Sequence, residues 1–187
     1  MGNKSSNLTY ALFGGSFDPP HLAHIQIAKK ALEIADCVIV VPTYLNPFKK
    51  SFAASSSLRL KWCKEVFSFD GILVSDYEVK QQKPTYTIET FNALSKLYNI
   101  KYIIIGADNL KSITLWRDFE VLNSKITWIV ATREGNQLDT KALKSFRIIN
   151  LNKNVSSTEI RDGKKSDFLD EKIKQKVLDE YRDKKQS

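Results

Sequence analysis

Strand-like and helix-like stretches alternate along this chain, and the alternation predicts an α/β fold: a parallel sheet with helices on both faces. Cys37-Val38-Ile39-Val40-Val41 and Tyr102-Ile103-Ile104-Ile105 are continuous apolar runs, as expected of parallel strands covered on both sides. Apolar residues recur at helical spacing after such runs. No internal repeat or low-complexity linker interrupts the pattern. Residues 8–187 therefore read as one domain, preceded by a disordered polar leader at 1–7.

Taken in order, Tyr10-Ala11-Leu12-Phe13 is a short apolar strand. Leu22, Ile25, Ala28, Leu32 and Ala35 then mark a helix, which makes the first βα unit. The run Cys37 to Val41 is the second strand, stopped by Pro42. A polar loop follows from Thr43 to Ser56. A helix from Ser57 carries Leu58, Trp62 and Val66 on one side. Ile72-Leu73-Val74 makes a third strand leading into Tyr77 and Val79, and Gln81-Gln82-Lys83-Pro84 breaks it. Ile88, Phe91, Leu94 and Leu97 mark another helix, expected to begin near Thr85. The strand at 102–105 ends at Gly106-Ala107-Asp108, and a helical stretch follows to about Asn123. Ile126 to Val130 and Arg147-Ile148-Ile149 complete the sheet. Leu169, Ile173, Val177 and Tyr181 lie on a C-terminal helix.

Composition narrows the function. At 187 residues, 42% hydrophobic and 27% charged, the chain suits a soluble globular domain with a sizeable core. No apolar run is long enough to span a bilayer, and no secretory h-region is present, so a cytoplasmic protein without membrane contact is expected. Cys37 and Cys63 form no C-x-x-C pair and are expected to be free thiols. The net charge of +8 comes from lysines scattered among acids, with no long block of like charge. A polyanionic small molecule fits that pattern, and no nucleic-acid partner is expected. Whether the protein forms a homo-oligomer is left open.

The stretch Gly14-Gly15-Ser16-Phe17-Asp18-Pro19-Pro20-His21-Leu22-Ala23-His24 joins the first strand to the first helix. Two glycines there allow a sharp turn and a close approach to a ligand. The helix start adds free amides and the positive end of its dipole, a ready phosphate site. His21 and His24, the only histidines, share one face of the first turn. Each can donate to a phosphate oxygen and become cationic when a polyphosphate raises its pKa. A second helix start lies at Val155 to Arg161. Ser156 and Glu159 form a capping box, with Val155 and Ile160 as its hydrophobic staple. Ser157 and Thr158 set hydroxyls beside free amides, and Arg161 adds a cation.

In open α/β sheets ligands bind outside the carboxyl ends of the strands. That rule gathers Gly14-Gly15, the Thr43 to Lys49 loop and Gly106 to Asp108 on one rim. No covalent nucleophile stands out. The expected chemistry is direct in-line attack of an acceptor phosphate oxygen on the α-phosphorus of a nucleoside triphosphate, with pyrophosphate leaving. Catalysis is then positioning and charge stabilisation. His21, His24, Lys49 and Arg161 suit that task, with Thr158 in support. Mg²⁺ would be held mainly by the phosphates of that triphosphate and water, and no protein metal cage is assigned.

The first stretch resembles the nucleotidyltransferase superfamily signature G-x-F-[DH]-P-x-H-x-G-H, with Ala23 in place of its last glycine. The second resembles I-S-S-T-x-[IV]-R, with Val155 in the opening place. The resemblance extends from Leu8 to Tyr181 to the nicotinate-nucleotide adenylyltransferases. Pro47-Phe48-Lys49, Pro84-Thr85-Tyr86-Thr87 and Ile105 to Asn109 with Leu115-Trp116 carry it. It implies a Rossmann-like sheet of the nucleotidyltransferase fold. It also implies ATP as adenylyl donor and nicotinic acid mononucleotide as acceptor. ATP would contact Gly14, Gly15, Ser16, Phe17, His21, His24, Gly106, Asp108, Ser156, Ser157, Thr158 and Arg161. The acceptor would contact Lys49, Thr85, Tyr86, Asp108 and Trp116. Thr85 and nearby amides would hold the pyridine carboxylate, and Trp116 would stack on the ring. Two rivals stay open: another transferase of the superfamily, such as the phosphopantetheine enzyme, and a nucleotide-sensing module that has lost turnover.

Overall fold

A computed structural model of the chain describes residues 8–47, 51–133, 138–152 and 155–186. Six strands form one sheet: β1 (Tyr10–Gly15), β2 (Cys37–Pro42), β3 (Ile72–Val74), β4 (Ile100–Gly106), β5 (Thr127–Arg133) and β6 (Phe146–Leu151), in the order β3-β2-β1-β4-β5-β6. Every neighbouring pair is parallel. The chain winds outward from β1 in one direction, then returns to start again at β4. The switch point therefore lies between β1 and β4, and the crevice beyond their carboxyl ends is where such a sheet takes a ligand.

Period-two alternation in the central strands feeds two cores. Ala11, Phe13, Val38 and Val40 face one side, against α1 (Leu22–Ala31), α2 (Ser56–Val66) and α7 (Lys174–Gln186). Leu12, Ile39, Val41, Ile103 and Ile105 face the other, against α4 (Thr87–Leu94) and α5 (Phe119–Lys125). Helices thus cover both faces, as the uninterrupted apolar strands require. The short α3 (Tyr77–Gln81) and α6 (Ser157–Arg161) lie at the rim of the site.

Several expected boundaries move. Tyr77 and Val79 do not extend β3. The Ser75 hydroxyl accepts the Tyr77 amide at 3.2 Å, turning the chain into α3. The helix after Asp108 splits into a 3-10 segment (Ala107–Leu115) and α5, because Asp118 takes the left-handed conformation at φ 54°. Pro42 is the last residue of β2 rather than the stop beyond it. Helix α4 ends at Leu94, which leaves Leu97 exposed, and α7 begins only at Lys174, although Leu169 and Ile173 are buried as expected. Both cysteines are free, with Cys63 buried in α2 and its thiol pKa raised by burial. Residues 1–7 lie outside the described residues. Among the described residues, no helix is long and apolar enough to cross a membrane.

Candidate active site

A cleft of ≈ 1450 Å³ opens at the carboxyl ends of the central strands. Both sequence stretches singled out above line it, and so do Thr85, Tyr86, Gly106, Asp108 and Trp116. Lys49 falls outside the described residues.

The first stretch is built differently from the expected glycine turn. Gly14 and Gly15 still belong to β1, and neither has positive φ. The chain reverses at Phe17, which sits at φ 48°, just before a cis Asp18–Pro19 bond. Gly15 is required for another reason: a Cβ there would lie 2.9 Å from the Phe17 ring. Phe17 is itself buried and packs edge-on against Phe13, Phe67 and His24.

His21 is the N-cap residue of α1, in extended conformation, and His24 is the third residue of the helix. His24 Nδ1 accepts the His21 backbone amide at 3.2 Å, and the two rings stack with centroids 3.7 Å apart. A neutral His24 with Nδ1 accepting carries its proton on Nε2, leaving a donor. His21 is only 5% exposed, and its Nδ1 has no partner among the described residues. Burial pushes the His21 pKa down to about 4. Burial, and then the neighbouring His21, hold His24 well below the usual imidazole range. Both rings are therefore neutral at pH 7 in the unliganded site. Ala23, standing where the signature has glycine, is buried in the core on the α1 side.

The second stretch caps α6 as its sequence dictates. The Ser156 hydroxyl accepts the Glu159 amide at 3.3 Å, and Glu159 returns the bond by accepting the Ser156 amide at 2.9 Å. Hydrogen bonds from Lys165 and then Ser156 hold the Glu159 carboxyl down at about 2. Val155 and Ile160 are buried as the staple. Beyond capping, α6 clamps the first stretch. The Ser157 hydroxyl donates to the Pro19 carbonyl at 3.0 Å. Arg161 donates to the Asp18 carbonyl and to the Thr158 hydroxyl, and its guanidinium lies 3.9 Å from the Asp18 carboxylate. Segments about 140 residues apart in sequence thus meet as one surface of hydroxyls, amides and a cation, which is suited to phosphate oxygens.

Three buried charged residues that brace or line the cleft were missed as site residues. Asp18 is 3% exposed and accepts the Ala53 and Ala54 amides at 2.8 and 2.9 Å and the Tyr181 hydroxyl at 2.8 Å. It ties the first stretch to the 51–54 loop and to α7. Arg59 is fully buried and donates to the carbonyls of Ala54, Ser16 and Tyr44, at 3.1, 2.6 and 3.0 Å. The spacing Arg59, Trp62, Cys63, Val66 is a helix-face pattern with one charged member, and it was the available signal. Glu78, 3% exposed on α3, also lines the cleft. Its neighbours in sequence carried no sign of burial.

At the other end, Thr85 is buried but is not the N-cap of α4; Tyr86 holds that position. The Thr85 hydroxyl donates to the Lys83 carbonyl at 3.2 Å, and Glu89 accepts the Tyr86 amide at 2.9 Å. Trp116 is half-buried, edge-on to Trp128 with centroids 6.1 Å apart. Asp108 accepts from the Asn109 side chain at 3.3 Å on the open side of the cleft.

Residues 12–163 match the model of a cytidylyltransferase-like family. The chain is 46% identical to the "Probable nicotinate-nucleotide adenylyltransferase" of a Sulfurovum species, over 94% of this chain and 95% of that one. It is 44% identical to the protein of the same name from a Nitratiruptor species, over 92% and 98%. Among solved structures, the Plasmodium falciparum nicotinic acid mononucleotide adenylyltransferase complexed with APC superposes at a TM-score of 0.73. That match has 21% identity and covers 94% of this chain and 96% of the other. At that identity the likeness establishes the fold.

Proposed function

The chain belongs to the cytidylyltransferase-like family and, within it, to the nicotinate-nucleotide adenylyltransferases, and from that premise we propose how its own residues do the work. It transfers the adenylyl group of ATP to nicotinic acid mononucleotide, giving nicotinic acid adenine dinucleotide and pyrophosphate, a step of NAD biosynthesis. The observation that carries the residue assignment is the clamp between the two signatures: α6 holds the loop before His21 at the switch point of the sheet.

ATP lies with its phosphates between that loop and α6. His24 offers Nε2–H. His21 has an open Nδ1, which gains a proton as the polyphosphate arrives, because nearby negative charge opposes the desolvation that keeps it neutral. Ser157 has spent its hydroxyl on Pro19, so its contribution is its backbone amide, together with that of Thr158. Arg161 and Lys49 add positive charge. An oxygen of the acceptor's phosphate attacks the α-phosphorus in line, and the bond to the β-phosphate oxygen breaks. The negative charge building on the leaving pyrophosphate falls on these groups.

Mg²⁺ enters as part of the substrate MgATP, with phosphate oxygens and water as its ligands and charge neutralisation as its contribution. The donors of the site match phosphate rather than a metal: both Asp18 oxygens already accept from the protein. At the acceptor end, Glu89 occupies the Tyr86 amide, which leaves the amides of Thr85 and Thr87 for the pyridine carboxylate. Trp116 stacks on the ring, and Asp108 takes ribose hydroxyls. The enzyme so described is cytoplasmic and handles small molecules rather than nucleic acid or membrane.

Pyrophosphate release with MgATP, tested with nicotinic acid mononucleotide, nicotinamide mononucleotide and phosphopantetheine, decides the matter. Turnover with the first acceptor is expected. Preference for phosphopantetheine moves the chain to a sister family, and ATP binding with no release from any acceptor makes it a sensor.

A further inference from the structure

Glu78 is the buried acid of the cleft that the mechanism above leaves unused. It sits on α3, is 3% exposed, and shares the cleft wall with Thr85, Thr90 and Trp116. The Thr90 hydroxyl donates to its Oε1 at 2.6 Å. Its Oε2 is buried and has no partner among the described residues. A carboxylate left with one bare buried oxygen is costly. A carboxylic acid is not, because its proton occupies that oxygen.

The surrounding charges offer little to an ionised Glu78. On its own helix, Asp76 and Lys80 pair with each other at 3.0 Å on the exposed side. From α4, Glu89 faces it with like charge. From α2 comes the Arg59 guanidinium, already committed to three carbonyls. The β2 residues behind α3 are apolar. Lys83, in the turn to α4, is exposed. Burial raises the Glu78 pKa to about 7, with Glu89 adding to the rise and Thr90 and Arg59 opposing it.

Granting the adenylyl transfer proposed above, we propose that Glu78 is a specificity-determining residue of the acceptor pocket: as a neutral acid it lets an anionic head group in, and as a carboxylate it repels one. Such a group acts through charge and needs no direct contact with the acceptor. The acid and amide forms of a pyridine mononucleotide share their phosphate, their ribose and the ATP partner. Titration of the histidines or of the phosphate therefore cancels when the two are compared, and the ratio of their efficiencies isolates the head group.

The test is the ratio of kcat/KM for nicotinic acid mononucleotide over nicotinamide mononucleotide, with saturating MgATP, across a pH range of about 6 to 8.5 that brackets the raised Glu78 pKa. In the native enzyme the ratio should fall by roughly an order of magnitude as pH rises, with a midpoint near neutrality, the scale expected of one like charge within the same cleft at an effective dielectric of about 20. Glu78→Gln should hold the ratio high and flat. Thr90→Val removes a donor that favours the carboxylate, so it should move the midpoint to higher pH. A constant ratio in the native enzyme overturns the role of Glu78 while leaving the adenylyltransferase standing. A Gln variant that follows the native slope does the same. If the Gln variant does not fold, the native slope and the Thr90→Val midpoint still decide. No pyrophosphate from either acceptor at any pH overturns the function and this role together.

Discussion

His21 links stability to catalysis, and replacing it with glutamine separates the two. In the folded protein the ring is buried against His24 and its pKa lies near 4, below the ordinary 6.5. Its folded pKa is depressed, so the unfolded chain binds the proton more tightly, and stability falls as pH drops from about 6.5 towards 4. At pH 5 the difference amounts to about 2 kcal/mol, taking about 1.4 kcal/mol per pKa unit over the part of that window already crossed. Glutamine keeps a polar group at the N-cap but does not titrate. Native stability, measured by urea unfolding, should therefore drop between about pH 8 and about pH 5 by about 2 kcal/mol more than that of His21→Gln.

Turnover should respond in the opposite sense. At a mildly alkaline pH of about 7.5 the native ring is neutral and must gain charge or donate as phosphate arrives, and glutamine can do only part of this. A loss of roughly 10²–10⁴-fold in kcat is expected, the range for a group that stabilises developing charge or transfers a proton. Two results would sink the reasoning. Parallel pH–stability curves for native and variant would mean that the ring is not held neutral by burial. Near-native kcat in the variant would mean that the histidine serves the helix cap alone.

Other perturbations probe the rest of the site. Arg161→Ala should weaken ATP or transition-state binding by about 1.5–3 kcal/mol, and Arg161→Lys should recover only part, since a point charge cannot serve Asp18, Thr158 and a phosphate together; unchanged kinetics would reduce Arg161 to a clamp. Tyr181→Phe removes one of the donors to buried Asp18 and should cost about 1–2 kcal/mol in urea unfolding. Trp116→Ala should weaken acid and amide acceptors alike, by about 0.5–1.5 kcal/mol beyond lost burial, because stacking does not see the head group. Glu78→Gln should gain stability over native as pH rises from about 4.5 to about 7, because in that window the unfolded chain releases a proton that the buried native carboxyl retains, by up to about 3 kcal/mol in urea unfolding.

The sheet was legible because its central strands are buried on both faces, so β2 and β4 show almost unbroken apolar runs. The cap of α6 was legible because capping is local: Ser156 to Glu159 needs only a few neighbouring residues to specify itself. Where the reading missed, a side-chain contact that the apolar pattern does not encode decided the outcome. Helix α3 exists where alternation suggested strand, because the Ser75 hydroxyl turns the chain and the rim leaves Glu78 a buried place. Arg59 carries a charge on an apolar helix face, and besides the nearby Ala54 carbonyl it is the carbonyls of Ser16 and Tyr44, 43 and 15 residues away, that account for it.

Asp18 shows most clearly why a motif read as chemistry can also be architecture. Its place in the first stretch sets it beside the proposed phosphate site, yet both its oxygens are filled by protein donors from the 51–54 loop and α7, with Arg161 of α6 alongside. One buried carboxylate thus fixes where the loop, the second signature and the C-terminal helix sit relative to His21. The histidines have reason to be neutral and unsaturated, since a pre-formed cation would need its own partner in this buried setting. Asp18 has no such freedom, because a bare carboxylate beside incoming phosphate would oppose the substrate. Beside the first stretch the one buried carboxylate, Asp18, is fully bonded while the His21 Nδ1 is left open, and that division of labour suits an anion there.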